Sequence, residues 1–305
     1  IKCILKKYGK TKIVPGNFGM FKKKSFWKNK KVFITGHTGF KGTWLCITLK
    51  MMGAHVTGFS LHPPTIPSLF KLTNLKGYID KSIIADILNY KILNRSIKNC
   101  NPDIVFHLAA QSLVIDSYKN PKKNYLTNSI GTLNVLESLR SLKKLKCGII
   151  VTTDKVYKIN KNKKNFSEKD ELGVTDPYGS SKVCAEVITE SYNKSFFSNS
   201  KYLKIATVRA GNVIGGGDYS LNRILPDFFR GFFSKNKMHI RNPNHIRPWQ
   251  FILEPISGYI LLAEKISKKK FKNIHNSWNF APKNANCVTV KNLVLKINKF
   301  SSNKM

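Results

Sequence analysis

Between Lys30 and Trp44 the chain reads KKVFITGHTGFKGTW, an apolar run that stops at a turn punctuated by three glycines. Val32, Phe33 and Ile34 predict a buried parallel strand, and the apolar spacing from Trp44 to Met52 predicts a helix. Gly36, Gly39 and Gly42 allow close backbone approach at the turn between them. The free N–H groups at the start of that helix would face a pyrophosphate seated there. The spacing is G-x-x-G-x-x-G, not G-x-G-x-x-G, so taken alone it also describes a glycine-rich turn that holds no ligand.

The rest of the chain repeats the strand-then-helix rhythm. Strands are predicted at 31–35, 55–59, 81–85, 103–107, 147–152 and 203–209, and helices at 40–52, 89–99, 122–143 and 178–196. That alternation predicts an α/β fold with a doubly wound parallel sheet. After Arg209 comes a loop rich in glycine and asparagine, then a helix near 221–234 and short strands carrying IRNP and RPWQF, where a smaller C-terminal substrate-binding lobe fits. A helix over 253–268 is placed to return to the first domain. The expected division is a basic tail at 1–24, a nucleotide domain at 25–209 to which 250–270 returns, and a substrate lobe at 210–305. Met20 is a candidate start.

A formal charge of +37 would ordinarily suggest nucleic acid or an anionic membrane as partner. Here the charge is nearly all lysine, with only seven arginines, and runs with asparagine and isoleucine along the whole chain. The footprint of a nucleic-acid binder is clustered. Compositional drift therefore describes this charge better, and no specific nucleic-acid partner is expected. Six scattered cysteines form no C-x-x-C pair and have no histidine at zinc-ligand spacing, so reduced thiols and no metal are expected. No apolar run approaches the roughly 18 residues of a membrane span, and no signal peptide is evident, so the expected compartment is the cytoplasm.

Tyr178 and Lys182 in PYGSSK lie four residues apart, on one face of a helix that Pro177 suits as a start. An ammonium beside a phenol stabilises the phenolate, and such a tyrosine can take a proton from a sugar hydroxyl. A solvated pair on a helix face has the same spacing. In IIVTTDKVY, Thr153, Asp154 and Lys155 follow a buried strand at the carboxyl edge, where open α/β sheets bind ligands. A buried, protonated Asp154 can give a proton to a departing hydroxyl; as a turn residue it would do nothing of the kind. Lys155 suits either a neutral base or a charged stabiliser of an enolate, and the sequence leaves both open.

GHTGFKGTW, Asp86-Ile87, HLAAQ at 107–111, Asn128, Gly131-Thr132, TTDKVY, YGSSK and RAGNVIGGGDY occur in the order found in the extended short-chain dehydrogenase/reductase family, which the chain resembles from about Phe26 to its end. Within it, GHTGFKG, the Asp-Lys of TTDKVY, RAGNVIGGGD and IRNP followed by IRPWQ resemble the CDP-glucose 4,6-dehydratases. The resemblance implies a Rossmann fold, bound NAD, CDP-glucose as substrate and a homodimer packed through 122–143 and 178–196. It also implies a product used for deoxysugars of a bacterial surface polysaccharide such as O-antigen.

Carried over residue by residue, Tyr178 removes the C4 hydroxyl proton, Thr153 holds the C4 oxygen, Asp154 is the acid, Lys155 stands near the C5 proton, and Lys182 also holds the nicotinamide ribose. Gly36, Thr38, Gly39, Phe40 and Gly42 match the pyrophosphate loop, Asp86 and Ile87 the adenine contacts, and Ala109, Ala110 and Gln111 the wall beside the nicotinamide. Asn128 matches a cofactor-site position. Asn212, Arg223, Arg241 and Arg247 are candidates for the diphosphate and cytidine side, arginine suiting phosphate by its planar fork. Arg241 and Arg247 also fit solvated or structural ion pairs. Trp249, His37 and His107 are expected to be core or loop positions. Three departures stand out: Phe59 to His62 offer no acid to the adenosine ribose, PYGSSK replaces the expected PYSNSK, and relatives continue beyond the helix at 289–299, which suggests a truncated copy.

Overall fold

The structure, a computed structural model, describes residues 26–159, 165–198, 203–234, 239–268, 276–282 and 287–302. The expected tail at 1–24 lies outside the described residues. Among those described, the centre is a parallel sheet of seven strands: β1 Lys31–Thr35, β2 His55–Ser60, β3 Lys81–Ile84, β4 Ile104–His107, β5 Cys147–Val151, β6 Lys204–Ala210 and, after two strands outside it, β9 Ser277–Phe280. The order is β3-β2-β1-β4-β5-β6-β9, so the chain first runs outward from β1 and then resumes on its other side. The gap between β1 and β4 is the topological switch point, where the carboxyl ends of the strands open a crevice.

The two faces of β1 show why both sides of this sheet must be covered. Val32 and Ile34 point into one buried cluster, with Leu45, Cys46 and Leu49 of helix α1 (Phe40–Met51) and Ile256, Tyr259 and Ile260 of Leu253–Ser267. Phe33 points into the other, with Leu93 and Ile97 of α2 (Tyr90–Cys100) and Val135, Leu136 and Leu139 of α3 (Gly131–Leu139). Alternate side chains of a strand face opposite ways, so an unbroken apolar run is read by helices on both faces.

The helix expected over 122–143 is broken into Pro121–Tyr125, a wide π-turn at Leu126–Ile130, and α3. Within that turn Asn128 is fully buried and its amide is drawn inward, donating to the Gln111 carbonyl at 3.0 Å and to Ser181 Oγ at 2.9 Å. The other long helices among the described residues are α4 Pro177–Tyr192, α5 Ile224–Ser234, α6 Leu253–Ser267 and α7 Val290–Ser302, with short ones at Leu69–Leu72, Leu75–Tyr78 and Val114–Lys119. A second sheet has the order β10-β8-β7, with β7 Asn212–Ile214, β8 Ile246–Phe251 and β10 Cys287–Thr289. IRNP at 240–243 is not a strand: Lys291 donates to the Pro243 carbonyl and Val290 to that of His245, so a turn sits there. No described helix is long and apolar enough to cross a membrane.

Candidate active site

A cavity of about 950 Å³ opens over the carboxyl ends of the parallel strands. One wall is the turn from β1 to α1. Gly36 has φ +79°, a conformation that suits glycine, and a Cβ there would lie 2.6 Å from the Ala109 nitrogen. A Cβ on Gly42 would lie 2.0 Å from the Gly36 carbonyl oxygen, so the first turn of α1 presses on the loop that precedes it. Gly39 caps α1 with no side-chain bond, and the helix has no acidic residue in its first turn. The first N–H groups of a helix lack intrahelical acceptors. These donors, together with the close backbone approach, fit a dinucleotide's pyrophosphate.

Thr38 bonds Ser60 Oγ at 2.9 Å and donates to the Leu61 carbonyl at 2.9 Å, tying the loop to the end of β2. Asp86, Ile87, Ala109 and Ala110 line the same cavity, with Phe40 and Lys41. Gln111 and Asn128 do not line it. Asn128 accepts from the Gln111 amide at 2.8 Å, and Asn124 donates to Gln111 Oε1 at 2.7 Å, so this pair braces the wall from behind. His37 and His107 are both buried, as expected. His107 bonds Thr35 at 2.7 Å and Thr132 at 3.1 Å, and burial together with the Lys182 charge pushes it down to about 3, so the ring is neutral. No group of three metal-ligating side chains occurs among the described residues.

The opposite wall holds the side chains that the sequence offers as catalytic candidates. β5 ends at Val151, and Thr153, Asp154 and Lys155 form the turn above it, facing Tyr178 and Lys182 of α4. That helix starts where it does because Pro177 occupies its first turn and Asp176 accepts from the Gly179 amide at 2.9 Å. Thr153 Oγ1 donates to Asp154 Oδ1 at 3.2 Å. Burial pushes the Asp154 carboxyl above its usual range, opposed by the charge of Lys155, a shift toward the protonated form that an acid needs. Burial pulls Lys155 down, with Asp154 opposing. Its ammonium lies 5.9 Å from the centre of the Tyr178 ring.

In one respect the geometry differs from what the spacing suggests. The Lys182 ammonium donates to the Val151 carbonyl at 3.0 Å, and the Tyr178 phenol, 8% exposed, is raised by burial. A hydrogen bond with Thr153 is the strongest influence lowering it. Lys182 itself is pushed down to about 8 by burial, with Lys41 adding to the shift.

Because Lys182 is held below its unfolded value of 10.5, its charge costs stability at all pH values below about 8, and that cost fades as pH rises from there to 10.5. Lys182→Met should therefore leave thermal stability at neutral pH undiminished or raise it, by up to roughly 3 kcal/mol, while turnover is lost. The stability difference from the unaltered chain should shrink as pH rises above 8, which thermal denaturation across a pH series would check.

Asn212, Arg223, Arg241 and Arg247 all reach the cavity, with His245 and Asp218. Arg223 pairs with Asp218 at 3.0 Å and donates to Ser112 Oγ at 3.3 Å, tying the loop before α5 to the segment that follows β4. Arg247 meets His245 at 3.2 Å. Trp249 is buried, donates to the Val288 carbonyl at 3.1 Å and still touches the cavity.

Two charged residues, one lining the cavity and one buried behind its wall, were not singled out by sequence. Lys41 sits inside GHTGFKG itself and is pushed down to about 8, chiefly by burial. Glu186, eight residues beyond Tyr178, continues the helix face that begins with Tyr178 and Lys182. The 178, 182, 186 spacing was the available signal.

The family model described as the NAD dependent epimerase/dehydratase family matches residues 32–276. CDP-glucose 4,6-dehydratase of Salmonella typhimurium is 43% identical over 278 residues, covering 90% of this chain and 77% of that protein. dTDP-D-glucose 4,6-dehydratase of Dictyostelium discoideum is 30% identical over 265 residues, covering 81% of this chain and 58% of that protein. Among solved structures, a dTDP-glucose 4,6-dehydratase double mutant from Streptomyces venezuelae with NAD bound has a TM-score of 0.73 at 17% identity, covering 88% of this chain and 81% of that one, and shares the fold. With the family model spanning most of its length, the chain belongs to the NAD dependent epimerase/dehydratase family.

Proposed function

We propose that this protein is a sugar-nucleotide 4,6-dehydratase that converts CDP-glucose to CDP-4-keto-6-deoxy-glucose with loss of water. The observation that carries this is Asp154: a carboxyl raised above its usual range by burial, in the same cavity wall as Tyr178, Thr153 and Lys182. An epimerase needs the tyrosine and lysine but no acid aimed at a C6 hydroxyl. The 43% identity to a CDP-glucose 4,6-dehydratase supports the same conclusion.

NAD, when bound, supplies a hydride acceptor that is reduced and reoxidised within one cycle. Tyr178, as the phenolate, would accept the C4 hydroxyl proton, with Thr153 holding the forming C4 carbonyl, and Lys182 would fix the cofactor ribose. The 4-ketone acidifies the C5 proton, which leaves toward Lys155 while Asp154 protonates the C6 oxygen. The C5–H and C6–O bonds break, a C5–C6 double bond forms and water departs; the hydride removed from C4 would then be returned to C6 while Lys155 gives the proton back to C5, which yields the 4-keto-6-deoxy sugar. Residues 26–209 with α6 and β9 carry the dinucleotide, and the second sheet with α5 covers the sugar nucleotide, whose diphosphate falls to Arg223, Arg241 and Arg247.

Incubating NAD-loaded protein with CDP-glucose, UDP-glucose and dTDP-glucose should give a 4-keto-6-deoxy product from CDP-glucose first. A 4-epimer without water loss would instead make it an epimerase. Exposed Tyr125, Leu126, Ile130 and Val187 on neighbouring helices support a homodimer. The proposal also places the enzyme in the cytoplasm, serving deoxysugar synthesis for surface polysaccharide. A single-chain mass by sedimentation would end the dimer part of this proposal.

A further inference from the structure

Glu186 and Arg209 form an ion pair that water does not reach, their side chains 4% and 3% exposed. Arg209 Nε donates to Glu186 Oε1 at 2.8 Å, and Nη2 to Oε2 at 2.9 Å. Each carboxylate oxygen takes a second donor, Thr152 Oγ1 at 2.5 Å and Thr207 Oγ1 at 2.6 Å. The guanidinium also donates to Tyr157 Oη at 2.8 Å and to Ser277 Oγ at 3.1 Å, and Tyr157 donates onward to Asn279 Oδ1 at 2.6 Å. No member of the pair, nor Tyr157, lines the cavity.

Burying two charges is a poor way to stabilise a fold, because apolar residues of the same volume often do as well or better. The placement of this pair suggests another use. Thr152 and Tyr157 are the two residues that flank Thr153–Val156, the stretch carrying Asp154 and Lys155. Glu186 lies one helical turn beyond Lys182 and two beyond Tyr178. One ion pair therefore grips both flanks of the acid-bearing segment and the helix that bears the phenol.

We infer that Glu186 and Arg209, with Tyr157, are positioning residues that hold Asp154 and Lys155 in register with Tyr178 and Lys182, an inference that rests on the dehydratase activity proposed above. Water loss depends on the brace more than the oxidation does. Oxidation at C4 needs Thr153, Tyr178 and Lys182, whereas water loss also needs Asp154 and Lys155, whose downstream flank is held through Tyr157. Misplacing a reacting group by about 1 Å can cost a hundredfold in rate.

The test uses NAD-loaded full-length protein. Tyr157→Phe keeps the ring stacked on Phe166, 5.0 Å between centres, and removes only the hydroxyl. It should lower kcat for water loss at least about tenfold, leave KM within about twofold, and lower Tm by the modest amount that orphaning one buried Arg209 donor costs, with the protein still folded at the assay temperature. Reduced nicotinamide should then build up in the absorbance after mixing with CDP-glucose, because the stage after oxidation has slowed. The double variant E186L/R209M, neutral and apolar, should fold and show the same accumulation; if it does not fold, Tyr157→Phe decides alone. Thr189→Ala, which removes a buried hydroxyl bonded to the Ala185 carbonyl at 2.7 Å on the same helix, should turn over normally.

Unchanged turnover in folded Tyr157→Phe would overturn the brace. So would a loss that merely follows the folded fraction, with no accumulation of reduced nicotinamide. If the unaltered chain is inert toward all three nucleotide hexoses, the dehydratase activity falls and the brace with it. An active unaltered chain beside an equally active Tyr157→Phe removes the brace alone.

Discussion

Tyr178→Phe should cut formation of the 4-keto product roughly 10²- to 10⁴-fold, the range lost when a positioned acid–base group is removed. The ring is buried and stays in place, so the fold should lose only the hydrogen bond with Thr153, about 1 kcal/mol. Binding of dinucleotide and of CDP-glucose should persist, because neither the glycine turn nor the arginines are disturbed. Steady-state turnover, Tm and dinucleotide binding on the same preparation would separate these effects. Product formation at the unaltered rate would remove Tyr178 from the chemistry altogether.

Asp154→Asn should also stop water loss, by about 10²- to 10⁴-fold, but at a later stage. An amide is nearly the same size and cannot give a proton to the C6 oxygen. Oxidation at C4 should continue, so reduced nicotinamide should appear on mixing with CDP-glucose and persist. Because burial raises the Asp154 carboxyl, the unaltered protein should lose activity as pH rises through that raised value and Asp154 ionises. The Asn variant should lack that alkaline limb at its low residual rate. If it retained water loss, Asp154 would be a turn residue and a 4-epimerase would become the better description. An epimerase would be little affected by the same substitution.

Much of the scaffold was legible because its signals are local. The run Val32–Ile34, the glycine turn and the apolar spacing after Trp44 predict β1, the loop and α1, and the structure has them at Lys31–Thr35 and Phe40–Met51. The i, i+4 spacing of Tyr178 and Lys182 likewise puts both on one face of α4, and both reach the cavity. Less was legible where the partners are distant in the chain. Ser277–Phe280 reads as a short polar-apolar stretch, and only its pairing with β6 at Thr207 to Ala210 makes it the seventh strand of the main sheet. The break in the helix expected over 122–143 depends on Asn128 reaching the Gln111 backbone, which periodicity does not reveal.

By itself the sequence determined the first six strands of the main sheet and the helices α1, α2 and α4 between them, the turn that suits a pyrophosphate and the residue types of the wall around Asp154 and Tyr178, since each depends on neighbours within a few positions along the chain. Tertiary structure alone decided which of those side chains are dry and what they touch. It directs Lys182 to the Val151 carbonyl, raises the Asp154 carboxyl, and joins Glu186 of α4 to Arg209 of β6. The physical reason is that protonation and hydrogen bonding depend on burial, and burial depends on which distant segments close over a group.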